Sequence, residues 1–395
     1  MDGTAPLIYL VAGEPSGDLL GAYLIAALRR EAGNGVRFAG VGGENMAGAD
    51  LSSLFDLSDI AVMGFWEVLP RVPRVLRRVR ETVIDITRHR PAALITIDSW
   101  GFTGRVNQAI RALHLPIIQI HYVAPMVWAW RERRAAHLVG RIDHLMTLFP
   151  HEPPYFERVG VPATCVGHPV IESGADQGDG AAFRRRCGLA ATVPLLCVLP
   201  GSRQGEVRRL LPVLEAAVRQ LTARRPDLHV VVPTVATVAE AVTSAVMHWP
   251  VPVTVVHGLG DKYDAFAAAD VALAASGTVA LELALAGVPT VVTYRVASLS
   301  AWLFRRLSRV RYVNLINLSL DRLVVPELLQ ERCRPVLLAA EVERLFDDTT
   351  IRAAQQADFR KALRQLGHGG PSPSLRAARL VLDLIQSKRR SSTGR

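Results

Sequence analysis

Gly201-Ser202-Arg203-Gln204-Gly205-Glu206 follows the apolar run Leu195-Leu196-Cys197-Val198-Leu199-Pro200. It opens a segment with apolar residues at helical spacing: Val207, Leu210, Leu211, Leu214, Ala217, Val218 and Leu221. A strand, a glycine turn and a helix start are what a phosphate needs. The free backbone N–H groups and the helix dipole favour an anion, and Arg203 can fork two hydrogen bonds onto phosphate oxygens. A second turn of this kind, Ser276-Gly277-Thr278, follows the apolar run Val271-Ala272-Leu273 and leads into a helical pattern through Leu281 and Leu285. Ser276 and Thr278 offer hydroxyls, and Gly277 lets a ligand approach the backbone. Glu282, four residues past Thr278 and so on the same helix face, can accept both hydroxyls of a ribose. Each turn alone reads as well as an ordinary helix start with a surface arginine or a first-turn acid. Together they favour a nucleotide or sugar-phosphate site.

The first half of the chain carries other candidates. Ala12-Gly13-Glu14-Pro15-Ser16-Gly17-Asp18 closes an apolar run with two carboxylates, a serine and two glycines. Glu14 can orient a sugar hydroxyl there, while Ser16 and Asp18 read equally as caps of the following helix. Ile95-Thr96-Ile97-Asp98-Ser99 sets a lone aspartate at a strand's carboxyl end, where a general base would take a proton from an acceptor hydroxyl attacking an anomeric carbon; an Asx turn or helix cap is the competing account. His121 to Arg131 concentrates Trp128, Trp130 and Arg131 behind another strand, which suits either a wall for a sugar or acyl chain or packing between domains. Two further stretches join bulky apolar residues to arginines. One holds Phe65 and Trp66 ahead of Arg71, Arg74, Arg77, Arg78 and Arg80; the other holds Trp302, Arg305 and Arg306 in a region without an acid between Glu282 and Asp321. They read either as contacts with an anionic bilayer or as buried faces with a solvated cationic edge.

These residues need elements to hold them. Strand-like runs at Leu7–Ala12, Arg37–Val41, Ala93–Ile97, Ile117–His121 and His144–Leu148 alternate with helical ones, beginning with a helix from about Asp18 to Glu31. After a polar, glycine-bearing break from Glu172 to Gly180 the pattern restarts at Leu195–Leu199, then His229–Pro233, Val253–His257, Val271–Leu273 and Thr290–Thr293. Such alternation predicts an α/β protein of two Rossmann-like, doubly wound parallel-sheet domains, and 395 residues suffice for two cores. The expected boundaries are 1–175, 176–365 and a terminal helix with a basic tail over 366–395, its end disordered.

Half the residues are apolar and 6% aromatic, as in sheets and helices rich in Ala, Val and Leu. The formal charge is +10, nearly all from arginine, which selects acidic partners such as nucleotides, phospholipid surfaces or nucleic acid. Cys165, Cys187, Cys197 and Cys333 stand far apart, without C-x-x-C spacing, so neither zinc nor disulfides are expected. No export signal is read at the N-terminus, and no long apolar span free of polar breaks occurs, so a cytoplasmic protein, soluble or peripheral, is expected.

Taken with Gly40-Val41-Gly42-Gly43, Met63-Gly64-Phe65-Trp66-Glu67-Val68-Leu69 and Tyr312-Val313-Asn314-Leu315-Ile316-Asn317, these motifs resemble, in composition and order, those of the lipid-A-disaccharide synthase family. The resemblance runs from about residue 7 to Gln330. It implies a GT-B fold whose two domains face each other across a cleft. It also implies an inverting transfer joining UDP-2,3-diacylglucosamine to 2,3-diacylglucosamine 1-phosphate, with release of UDP and no metal or other cofactor. It places Gly201, Ser202, Arg203, Ser276, Gly277, Thr278 and Glu282 on UDP, with Arg295 and Asn317 close by. Glu14, Ser16 and Asp98 then face the acceptor, Asp98 as base. Phe65, Trp66, Trp128, Trp130, Arg131, Trp302, Arg305 and Arg306 would meet the acyl chains or the cytoplasmic face of an anionic inner membrane. A homodimer with exchanged C-terminal parts is implied, and no nucleic acid.

Three positions depart from the family pattern: Ile316 stands where a proline is usual, Ala124 replaces a serine, and Ser99-Trp100-Gly101 follows Asp98 in place of a second acid. They bear on acyl length and linkage. Two rivals remain: an enzyme like the UDP-N-acetylglucosamine 2-epimerases, which has little use for the arginine-aromatic stretches, and a non-enzymatic basic protein binding nucleic acid or membrane, which leaves the glycine turns unexplained.

Overall fold

The structure is a computed structural model that describes residues 5–60, 72–125, 132–295 and 311–393. It divides into two compact units: Met1–Pro169 together with Leu366–Arg395, and Val170–Gln365. The first unit contains β1 (Leu7–Ala12), α1 (Pro15–Ala32), β2 (Arg37–Val41), α2 (Glu44–Gly48), α3 (Val72–His89), β3 (Ala93–Ile97), α4 (Trp100–Ala112), β4 (Ile118–Tyr122), β5 (His144–Thr147), α5 (Pro153–Glu157) and β6 (Ala163–Cys165). Its six described strands are parallel, in the order β2-β1-β3-β4-β5-β6. β3 and β4 are buried at every residue and β1 at all but its first, as strands covered by helices on both faces must be. Tyr9, Val11 and Leu94 pack there against Phe102, Val106 and Ile110 of α4 and Ile86 of α3. Pairing of β1 with β2 depends on Gly40: at φ +152° any Cβ would stand 1.8 Å from the Leu10 carbonyl oxygen.

The second unit contains α6 (Gly180–Arg186), β7 (Leu195–Leu199), α7 (Gln204–Arg224), β8 (His229–Thr234), α8 (Ala239–Val246), β9 (Val253–His257), α9 (Leu259–Ala268), β10 (Val271–Ala275), α10 (Val279–Leu285), β11 (Thr290–Tyr294), α11 (Leu315–Leu320), β12 (Glu327–Leu329), α12 (Pro335–Asp347) and α13 (Thr349–Gln365). Its strands are again all parallel, in the order β12-β11-β10-β7-β8-β9. The apolar stripe of α7 packs with α12 on one face of this sheet, and α9 with α6 on the other. The chain then returns to the first unit, where α14 (Pro373–Thr393) packs on α1.

This is the doubly wound α/β architecture expected. β1, β2, β3, β7 and β9 begin and end at the anticipated residues. The pattern does not announce β6 and β12, because three-residue edge strands leave no periodicity to read.

Candidate functional site

In an open parallel sheet a ligand sits beyond the carboxyl ends of the strands, where the strand order reverses. Each unit has one such point among its described strands. In the first it lies between β1 and β3, whose ends are level because Ala12 pairs with Ile97, so Glu14 and Asp98 lie side by side. In the second it lies between β7 and β10, where Leu199 pairs with Ala274, so Gly201-Ser202-Arg203 neighbours Ser276-Gly277-Thr278. Each candidate cluster is thus brought to the carboxyl edge of its own sheet, the edge that a ligand uses.

In the second unit the two turns wall a cavity of about 320 Å³, lined by Ser202, Arg203, Thr234, Lys262, Ser276 and Thr278 among others. The first turn is held from behind. Gly201 has φ +111°, and a Cβ there would meet Glu206 Oε2 at 2.7 Å. Glu206 Oε2 accepts the Ser202 N–H at 3.2 Å, while its Oε1 accepts the Tyr294 hydroxyl at 2.8 Å and stands 3.5 Å from Arg203 Nη1. Burial, reinforced by the Glu206 carboxylate, pushes the Tyr294 phenol up to about 12, so it remains a donor. The Arg203 side chain is 65% exposed at the cavity wall, placed to turn onto an anion. Glu282, one turn into α10, receives Lys262 Nζ at 2.6 Å. Thr234 Oγ1 is buried at this wall with no hydrogen-bond partner.

In the first unit the turn after β3 is strained: Asp98 and Ser99 are successive residues in the left-handed region, at φ +54° and +42°. The Asp98 N–H donates to the Tyr122 carbonyl at 2.9 Å. Ser99 bridges the two carboxylates: its N–H donates to Asp98 Oδ1 at 2.7 Å and its hydroxyl to Glu14 Oε1 at 2.6 Å. Gly13 permits the approach, since a Cβ on it would lie 2.3 Å from Ser99 Cβ. Burial raises the Asp98 pKa above the ordinary carboxylate value and the Glu14 charge adds to this, while the Ser99 N–H opposes it. An ionised Asp98 is therefore a stronger base than a solvated carboxylate. Beside Glu14 and Ser99 lies a cavity of about 260 Å³ with Ile60, Val72, Leu76 and Phe102 in its wall.

Below this turn, Trp100 packs edge-on against His121, with ring centroids 4.7 Å apart. His121 Nδ1 meets the Thr96 hydroxyl at 2.9 Å, and that hydroxyl accepts Asn107 Nδ2 at 2.8 Å. Complete burial pushes the imidazole down to about 3, so it is neutral.

The remaining sequence candidates fall as follows. Asp18 caps, but not the helix it belongs to: its carboxylate accepts N–H groups of Gly43, Asn45 and Met46 at the start of α2. Ser16 is exposed on the first turn of α1, and Arg295 is exposed just past β11. Asn317 is fully buried and its amide is engaged within the second unit. It donates to the Val325 carbonyl and Glu327, and accepts the N–H groups of Val324 and Val325. Phe65, Trp66, Trp128, Trp130, Arg131, Trp302, Arg305 and Arg306 lie outside the described residues. Among the described residues, no group of three or more His, Cys, Asp or Glu could hold a metal, and no helix is long and apolar enough to cross a membrane.

Sequence reasoning did not single out Ser99, Glu206, Tyr294 or Lys262 for a role in the site. Glu206 carried a readable signal, standing five residues after Gly201 in the first helical turn; Ser99 adjoins Asp98 in the chain but reaches Glu14 through a tertiary contact, and Tyr294 and Lys262 join the site through tertiary contacts alone.

A family model described as lipid-A-disaccharide synthetase matches residues 8–373. The lipid-A-disaccharide synthase of Paramagnetospirillum magneticum is 53% identical over 390 residues, 98% of this chain and 100% of that one. Solved structures of similar fold include the UDP-GlcNAc 2-epimerase from Neisseria meningitidis bound to UDP-GlcNAc, with a TM-score of 0.64 and 9% identity over 96% of this chain and 100% of that one. The glycotransferase of kitacinnamycin superimposes with a TM-score of 0.61 and 19% identity, over 98% and 99% of the two chains. Those two likenesses are of fold, the GT-B arrangement of two parallel-sheet units.

Proposed function

The chain belongs to the lipid-A-disaccharide synthase family, and we propose from this that it joins UDP-2,3-diacylglucosamine to 2,3-diacylglucosamine 1-phosphate, giving lipid A disaccharide 1-phosphate and UDP. It is a hexosyltransferase of lipid A synthesis. Relatives over half identical along the full chain outweigh a shared fold at 9% identity, so the epimerase reading is not favoured.

One observation carries the assignment of residues: the two candidate clusters occupy the strand-order reversals of their respective sheets. In this reading the cavity between β7 and β10 takes the UDP moiety. Arg203 forks onto the diphosphate, the N–H groups of Gly201, Gly277 and Thr278 approach its oxygens, and Glu282 accepts the ribose hydroxyls. Arg295 and Asn317 serve the same half, Asn317 by shaping the loop it ties together. Asp98 is the base. It takes the proton of the acceptor's 6-hydroxyl as that oxygen bonds to the anomeric carbon of the donor; the bond from that carbon to the diphosphate breaks, and its electron pair leaves with UDP. Inversion gives a β-1,6 linkage. Charge gathering on the leaving diphosphate is met by Arg203 and the oriented N–H groups, which are in place before reaction. Glu14, bridged to Asp98 by Ser99, keeps the base strong and orients the acceptor, with Ser16 at the same mouth.

The finer partners belong to the same proposal. Phe65, Trp66, Trp128, Trp130, Arg131, Trp302, Arg305 and Arg306 engage acyl chains and the anionic cytoplasmic face of the inner membrane, and the protein works there as a peripheral homodimer. α3 supports this, with Val72 and Leu76 40% and 49% exposed on a helix that also carries Arg74, Arg77 and Arg80. UDP release in detergent micelles tests the reaction, with the two lipids supplied separately and together, and with and without EDTA. Release that needs both lipids and ignores EDTA supports the reading; release from the donor alone, or from UDP-N-acetylglucosamine, overturns it.

A further inference from the structure

Lys262 was not among the residues that the sequence pattern selected, yet it lines the cavity of the second unit and Glu282 is its ion-pair partner. Its Nζ lies 2.6 Å from Glu282 Oε2, and the two side chains are only 20% and 16% exposed, so solvent screens the pair little. The Tyr263 hydroxyl stands 3.4 Å from the other oxygen, Glu282 Oε1. The ammonium is steadied over the rings of Tyr263 and Phe266, 5.4 and 5.6 Å from their centroids. The neighbouring acids of α9 are engaged elsewhere, since Asp261 and Asp264 both pair with Arg186 at 3.0 Å. Glu282 itself is fixed to the Ser276-Gly277-Thr278 turn, its N–H donating to the Thr278 carbonyl at 3.3 Å.

A carboxylate in this position faces two conflicting demands. It must accept hydroxyls from a ribose, yet it stands one helical turn from where a diphosphate would lie, and an unbalanced negative charge there opposes the ligand. A cation on one of its oxygens removes the conflict, because it cancels the charge and holds the carboxylate in one rotamer. We propose that Lys262 is a positioning residue of the nucleotide site, holding and neutralising Glu282 so that this carboxylate selects the 2′,3′-diol of a ribonucleotide. The inference rests on the reading of this cavity as the UDP site.

Calorimetric titration of the full chain with UDP and with 2′-deoxy-UDP tests it, using the wild type, Lys262→Met, Lys262→Arg and Glu282→Gln. The wild type should bind UDP about tenfold more tightly than the deoxynucleotide, as expected of a site built around a hydroxyl. Lys262→Met should weaken UDP binding by about tenfold and bring the two ligands to near-equal affinity, Glu282→Gln should do the same, and Lys262→Arg should restore the preference. Thermal melts of all four proteins show which remain folded, and the ratio of the two affinities does not move with a merely structural loss. If Lys262→Met keeps the wild-type ratio, whether or not overall affinity falls, the inference is overturned and the lysine acts on the phosphates or on nothing. If the wild type binds neither nucleotide, the UDP reading of the cavity fails first.

Discussion

Replacing Asp18 by asparagine separates structure from chemistry in the loop that carries Glu14. The Asp18 side chain is 2% exposed, and its carboxylate accepts from four donors: Gly43 N at 2.6 Å and Met46 N at 3.1 Å on one oxygen, Asn45 N and Nδ2, both at 2.9 Å, on the other. Asparagine has the same shape, but one oxygen becomes an NH₂ that faces donors. Two of the four bonds are then lost, at about 1.5–3 kcal/mol each for bonds to a charged group, so the cost is roughly 3–6 kcal/mol. Unit one holds about 200 residues, and for such a size each kcal/mol moves the melting temperature by about 2–4 °C, so its transition should fall by about 6 °C or more. Differential scanning calorimetry reads this shift, and UDP release well below the transition reads the chemistry. Turnover per folded molecule should stay near wild type, because Asp18 is spent on the start of α2. A melting temperature within about 2 °C of wild type would refute the account of the buried carboxylate. A folded variant without turnover would instead make Asp18 part of the reaction.

Asp98→Asn should give the opposite result, leaving the melting temperature and UDP affinity near wild type and abolishing turnover; normal turnover would remove Asp98 from the mechanism. Because burial and the Glu14 charge raise its pKa, activity should fail on acidification at a pH above the usual carboxylate range, and Glu14→Gln should move that limb to lower pH. A pH–rate profile that does not move on this substitution would exclude the coupling. Arg203→Ala should weaken UDP binding by about tenfold, the loss of one charge-assisted contact from an exposed side chain, with no change in melting; unaltered affinity would place the diphosphate elsewhere. His121 and His168, buried in the first unit, are pushed down to about 3 and about 4. Below about pH 6.5 the unfolded chain takes up protons that the folded one refuses, so stability present at neutral pH should decline as pH falls towards 4, by up to about 1.4 kcal/mol per pH unit for each histidine. Urea midpoints at pH 7 and pH 5 measure this, and equal midpoints would contradict it.

The fold was legible wherever burial forces continuous apolar strands, as in Leu195–Leu199 and Ala93–Ile97, because both faces of those strands are covered. Positions within the site were legible only where a local rule singled them out: glycine in a turn, an acid at a strand end, arginine at a helix start. Asp18 shows the limit, since it reads as a cap of its own helix and in fact caps another, a partner 25 to 28 residues away that no spacing rule supplies. Ser99, a departure from the family pattern, becomes informative only when the left-handed turn aims both its donors at carboxylates. Lys262 has no motif at all, and its meaning comes from the approach of α9 to α10.

The return of the chain to the first unit has a consequence in time. α14 supplies Leu375, Ala377, Ala378, Val381 and Ile385 to the buried interior, pins Arg379 to Glu31 of α1 at 2.8 Å and donates from Arg376 to the Cys165 carbonyl at 2.7 Å. Val170–Gln365 must be synthesised before that helix exists, which at about 5–20 residues per second leaves roughly 10–40 s during which α1 has no cover. The second unit, continuous in sequence, can meanwhile close on itself. On the ribosome the molecule is therefore built in reverse of its reading order: the half that begins first is the half that finishes last.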